Sequence, residues 1–114
     1  MDRPTVSDRS RTAYDAVAGQ FAAQPGVKAG QMMGMPTLFA DGKAFAGLYG
    51  DAMIFKLAGR AHADALGRPG AGLFDPSGMG RPMKAWVQVP VEDDAAWADL
   101  ARQALDGAPR AAET

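Results

Sequence analysis

A chain of 114 residues, 47% hydrophobic and 22% charged, has the balance of one globular domain, with too little length for two cores and none of the high-charge bias of disorder. Twelve Lys and Arg against thirteen Asp and Glu leave a formal charge of −1, so no global field holds a polyanion or an anionic membrane, and a basic site must be local. The lack of cysteine removes disulfides, thiolate catalysis and cysteine-based metal sites, while the lack of any signal-like or spanning apolar run predicts a cytoplasmic protein with no membrane partner.

The first helix is expected to start near Ser7 or Ser10, either of which can cap free amides, with Tyr14, Val17, Ala18 and Phe21 forming one buried stripe at helical spacing. Gln24-Pro25-Gly26 ends it. Strand-like runs follow at Pro36 to Ala40, Lys43 to Tyr49 and Ala52 to Leu57, joined by Asp41-Gly42 and Gly50-Asp51, two-residue links of the kind that close primed hairpin turns. Lys28 to Met33 reads equally as a further strand or as a lead-in.

Arg60 to Leu66 is expected to be a short Ala-rich helix, with Arg60 and Asp64 placed for an i,i+4 pair. Gly67 to Pro82 is rich in glycine and proline and should be loop apart from an extended piece at Leu73-Phe74. Met83 to Val89 alternates as a strand. The last helix is expected to open on Glu92-Asp93-Asp94, with Trp97, Leu100, Ala101, Ala104 and Leu105 as its apolar stripe and Gly107 and Pro109 as its stop. The order predicts a two-layer α+β domain over residues 7–106, built on an antiparallel meander plus a strand pair with flanking helices, and flexible termini at 1–6 and 107–114.

If both tight turns hold their registers, Ala40 pairs with Lys43, Leu38 with Phe45, Tyr49 with Ala52 and Gly47 with Ile54. One face then carries Phe39, Ala44, Ala46, Leu48, Met53, Phe55 and Leu57 beneath the helices. The other carries Leu38, Lys43, Phe45, Tyr49, Ile54 and Lys56, joined by Trp86 from the later strand. Aromatic and aliphatic side chains rimmed by lysines have the make-up of an interface core, so Phe45, Tyr49, Ile54 and Trp86 are the candidate interface, most simply of a homodimer or of a contact with another regulatory protein. The competing reading is that the Gly67 to Pro82 loop or the N-terminal arm folds over that face within one monomer.

Chemical motifs are few. Gly42-Lys43 lacks the glycine spacing and the Ser or Thr of a phosphate loop, and Gly70-Ala71-Gly72 lacks the third glycine of a dinucleotide fingerprint. His62 is the one histidine and reads as a surface residue. Met32, Met33 and Met35 read as core filling. No G-x-S-x-G surrounds Ser77, and no nucleophile and base are paired, so the expectation is a non-enzyme with no cofactor and no metal. Glycines that expose amides beside two cations make Gly78, Gly80, Arg81 and Lys84 a candidate anion-binding loop, against a plain connector whose Arg81 meets a carboxylate. Arg81, Lys84, Lys43 and Lys56 are also the candidate phosphate contacts if the partner is a nucleic acid.

Met33-Gly34-Met35-Pro36, the run Asp41 to Leu48, Phe55-Lys56-Leu57, and Phe74-Asp75-Pro76 followed by Gly78-Met79-Gly80-Arg81-Pro82-Met83-Lys84-Ala85-Trp86-Val87 together resemble the TfoX N-terminal domain family, over nearly the whole chain. The resemblance implies a two-layer domain on an antiparallel sheet, like the TfoX N-terminal and secretion-chaperone-like folds. It also implies kinship with a transcriptional co-regulator of natural competence that works with the cyclic-AMP receptor protein, and it brings no catalytic residues. Only a short tail follows the last helix, so the family's second, C-terminal domain is expected to be absent.

Overall fold

Ser7 caps the first helix, α1 (Asp8–Phe21), its Oγ accepting from the Ser10 amide at 3.2 Å. Tyr14, Val17 and Phe21 then fall on one buried stripe. The computed structural model describes residues 5–32, 34–76, 80 and 83–107. Six strands follow α1: β1 (Val27–Met32), β2 (Met35–Ala40), β3 (Lys43–Tyr49), β4 (Ala52–Lys56), β5 (Gly72–Phe74) and β6 (Met83–Pro90), with helix α2 (Gly59–Leu66) between β4 and β5. All pairings are antiparallel, in the order β1-β2-β3-β4-β6-β5. The helices cover one face, which gives the two-layer α+β architecture. Among the described residues no helix is long and apolar enough to cross a membrane.

The segment Lys28 to Met33, open in the sequence, is resolved by pairing: β1 runs in regular register with β2 from Val27↔Ala40 to Met32↔Met35. Both tight turns form. Asp41 and Gly42 take φ of 50° and 84°, the two positive values that a type I′ turn needs, and Gly50 takes 59° in the β3–β4 turn.

The β2–β3 register corrects one expectation. Ala40 pairs with Lys43 and Phe39 with Ala44, but Leu38 then pairs with Ala46, leaving Phe45 as the extra residue of a bulge. Beyond it the expected pairs Tyr49↔Ala52 and Gly47↔Ile54 hold. The bulge turns Phe45 and Leu38 to the helix face, where Phe45 meets the Phe21 ring edge-on, 6.4 Å between centroids. Phe39, expected beneath the helices, lies on the opposite face, its Cε1 3.3 Å from where a Cβ on Gly30 would stand. The helix-side core is closed by Trp97, Leu100, Ala104 and Leu105.

The acidic stretch after β6 also departs from expectation. Val91–Ala96 is a 3-10 turn, and the α-helix proper, α3 (Trp97–Gly107), starts only at Trp97. Asp93 breaks the helical path (φ −111°, ψ 29°) where the Arg68 guanidinium grips its carboxylate with two nitrogens. Arg9 reaches the same segment, bonding the Val91 carbonyl at 3.0 Å and Asp94 at 3.3 Å.

Asp51, in the β3–β4 turn, ties these parts together. Its Oδ1 accepts from the Ser7 amide at 2.9 Å and from the buried Ser10 hydroxyl at 2.8 Å, and its carbonyl accepts from the Val91 amide at 2.8 Å. The Ser7 and Ser10 bonds hold the Asp51 carboxyl below its ordinary value, and the Arg68 bonds do the same for Asp93. A carboxyl lowered in the folded state stabilises the fold fully above its unfolded value, and that contribution is lost as pH falls through the folded value. The thermal midpoint is therefore expected to be flat near neutrality and to drop below about pH 4. Melts of Asp51→Asn from neutral pH into acid should show a lower neutral midpoint and a shallower acid slope. An acid slope identical to wild type would remove Asp51 from the account.

Candidate functional site

The face away from the helices gathers three of the four predicted interface residues. Tyr49, Ile54 and Trp86 lie together with Met35 and Phe74 in a second apolar cluster, while Phe45 sits on the other side of the sheet for the reason given above. The cluster is closed from within the chain. Phe74, at the end of β5, is fully buried and sets its ring edge-on to Tyr49, 4.9 Å between centroids, and Ile54 beneath is fully buried as well. The β5–β6 register allows this, because it jumps from Leu73↔Val87 to Phe74↔Met83. The geometry is that of the loop-over-face alternative. Met35 and Phe74 were absent from the predicted site, and the signal available was Phe74 itself, a large apolar residue in a glycine- and proline-rich stretch.

Of the candidate anion loop, Gly78 and Arg81 lie outside the described residues, as does Met33 of the methionine cluster. The Gly80 amide donates to Asp75 Oδ2 at 3.0 Å, so this amide already serves a carboxylate of its own chain. Lys84 stands on β6 with an exposed side chain, and its carbonyl accepts from His62 Nε2 at 2.7 Å, which places the imidazole proton on that nitrogen. Among the described residues no group of three or more His, Asp or Glu converges as a metal site.

Charge divides the surface unevenly. Arg9, Arg11, Arg60, Arg68 and Arg102, all the described arginines, are paired with Asp94, Asp15, Asp64, Asp93 and Asp106. Lys28, Lys43, Lys56 and Lys84 are in no ion pair with a described residue, and all four are exposed. Lys43 and Lys56, singled out in the sequence as cations, flank one cleft of about 290 Å³ at the end of the sheet where α2 begins and α3 ends.

The outer strand β1 is the remaining unusual surface. Lys28, Ala29, Gly30 and Gln31 are all exposed, so neither face of its middle is covered. The Asp41 amide donates to the Gly26 carbonyl at 2.9 Å, which fixes the alternation of the ladder: Lys28, Gly30 and Met32 bond to β2, and the amides and carbonyls of Ala29 and Gln31 point to the open edge.

Residues 19–108 match the family model of the TfoX N-terminal domain. The chain belongs to the TfoX N-terminal domain family. The match runs from the last turn of α1 to just past α3, so the whole sheet of this TfoX-type domain lies inside it. Among curated proteins and among solved structures, none matches the chain at a significant level.

Proposed function

We propose that this TfoX-type domain is a non-enzymatic regulatory module that works by protein contact, and that its contact is strand addition at β1. The observation that carries the reading is the state of that strand: six residues in unbroken register, the middle four exposed, with the outward amides of Ala29 and Gln31 meeting no described residue. Natural sheets protect such edges with a proline, a bulge, a short strand or charged side chains; β1 carries a single lysine, Lys28, at an inward-bonded position and none of the other three. A second copy is the simplest occupant, because two antiparallel β1 strands related by a two-fold axis satisfy both edges at once and join two sheets into one. The face of Tyr49, Ile54 and Trp86, considered first for this role, has Phe74 seated on it in the monomer, which moves the contact to the edge.

Sedimentation across a concentration series tests this. Wild type is expected to dimerise, and Ala29→Pro to remain a folded monomer, since proline removes an outward N–H and is tolerated on the open side of an edge strand. Gln31→Pro repeats the test one outward position along. A wild type that stays monomeric into the millimolar range, or proline variants that dimerise as wild type does, would overturn the edge as the contact surface.

A further inference from the structure

The cleft flanked by Lys43 and Lys56 has the build of a ligand site, and it shares no residue with β1. Its described lining is mainly apolar, with Leu57 just past β4, Ala58 and Ala61 at α2 and Ala85 of β6, above the buried Phe45 and Ala104, and no described Asp or Glu is part of it. In a chain of formal charge −1 whose described arginines are all matched to aspartates, two lysines lining one apolar cleft and paired with no described carboxylate stand out. A pocket of this kind takes a ligand whose body is apolar and whose single polar group is fixed by a few placed charges. At about 290 Å³ it is at the small end of ligand pockets.

We infer that this cleft binds a small organic carboxylate, an apolar chain or ring with one anionic end, with the apolar part against Leu57, Ala58, Ala61 and Ala85 and the carboxylate held by Lys43 and Lys56. Size and lining set the class: a space of about 290 Å³ with a mainly apolar lining suits a chain of about eight carbons. Lysine suits the mouth because its flexible stem lies along apolar surface while its ammonium stays in water, where an incoming carboxylate exchanges some of its hydration for a charge-assisted hydrogen bond. The wall contributed by α2 also matters. Its N-cap, Ala58, lines the cleft and brings no side-chain hydrogen bond to the first turn.

Octanoate is the probe, with 1-octanol as its uncharged counterpart, titrated into the ¹⁵N-labelled full chain and followed by amide shifts. Octanoate is expected to give saturable shifts confined to Lys43 to Phe45, Lys56 to Ala61 and Gln103 to Gly107. The double variant Lys43→Gln/Lys56→Gln, changed only at exposed positions, should weaken octanoate about tenfold and leave octanol unchanged, the size expected for two exposed charge contacts. Ala61→Leu, which fills the cleft from the helix side, should weaken both probes. Absence of saturable shifts, shifts centred elsewhere, or equal affinity for octanol and octanoate would each overturn the inference. The oligomeric state of Ala29→Pro bears only on the edge strand, so the two readings fail separately.

Discussion

Phe74→Ala is expected to cost about 3–4 kcal/mol of folding stability, a large share of the total for a domain of this size. Phe74 is fully buried although it belongs to a strand of only three residues at the sheet edge. Its ring closes the second face over Ile54 and against Tyr49, and Met35 and Trp86 complete the same cluster. Truncation removes the aromatic surface and leaves a gap that the remaining backbone of β5 cannot fill, so the transfer and cavity costs add. Urea denaturation measures the loss. Fluorescence reads its location when Trp97, buried on the helix side, is replaced by phenylalanine to leave Trp86 as the single reporter: the emission should shift red in Phe74→Ala before unfolding begins. Leu73→Ala, one residue away and 36% exposed, should change stability by no more than about 0.5 kcal/mol. A loss below about 1 kcal/mol at Phe74 would mean that this ring does not hold the face shut.

What was legible in the sequence was local. Ser7 before a stripe of Tyr14, Val17 and Phe21 carries its own helix signal, and Asp41-Gly42 carries its own turn signal, because cap chemistry and positive φ are decided within a few residues. The bulge at Phe45 was not legible. Phe45 and Ala46 are both apolar, so alternation reads as well with an inserted residue as without one, and only packing beneath α1 decides between them. Closure of the second face depends on Phe74 meeting Tyr49 of β3 across the sheet, a contact that no short window contains. The 3-10 turn escaped for a similar reason: Glu92-Asp93-Asp94 suits a helix start, but Arg68 and Arg9, 25 and 85 residues from their aspartates, hold the side chains in another path. Of the candidate sites, Lys43 and Lys56 were recognised as cations, yet their shared cleft required α2 and α3 to close on the same end of the sheet.

Phe45→Asp is expected to abolish folding at room temperature, whereas Tyr49→Asp should give a folded protein of reduced stability. Phe45 has no exposed surface, and its ring meets edge-on that of Phe21, which in turn lies under the Arg102 guanidinium, 4.9 Å from the ring centroid. Loss of the aromatic side chain alone costs about 3–5 kcal/mol. A carboxylate left in its place adds several kcal/mol more, because it is taken out of water at a position with no exposed surface. The sum approaches or exceeds the whole stability of a small domain, about 5–15 kcal/mol. Tyr49 is half-buried on the other face, so an acid there can turn to water. Far-UV circular dichroism and the dispersion of the amide spectrum distinguish the two variants. In the plain hairpin register Phe45 stands opposite Leu38 on the far face and its variant is the one that folds. A well-dispersed native spectrum from Phe45→Asp would therefore remove the bulge between β2 and β3 and return Phe45 to the surface of Tyr49, Ile54 and Trp86.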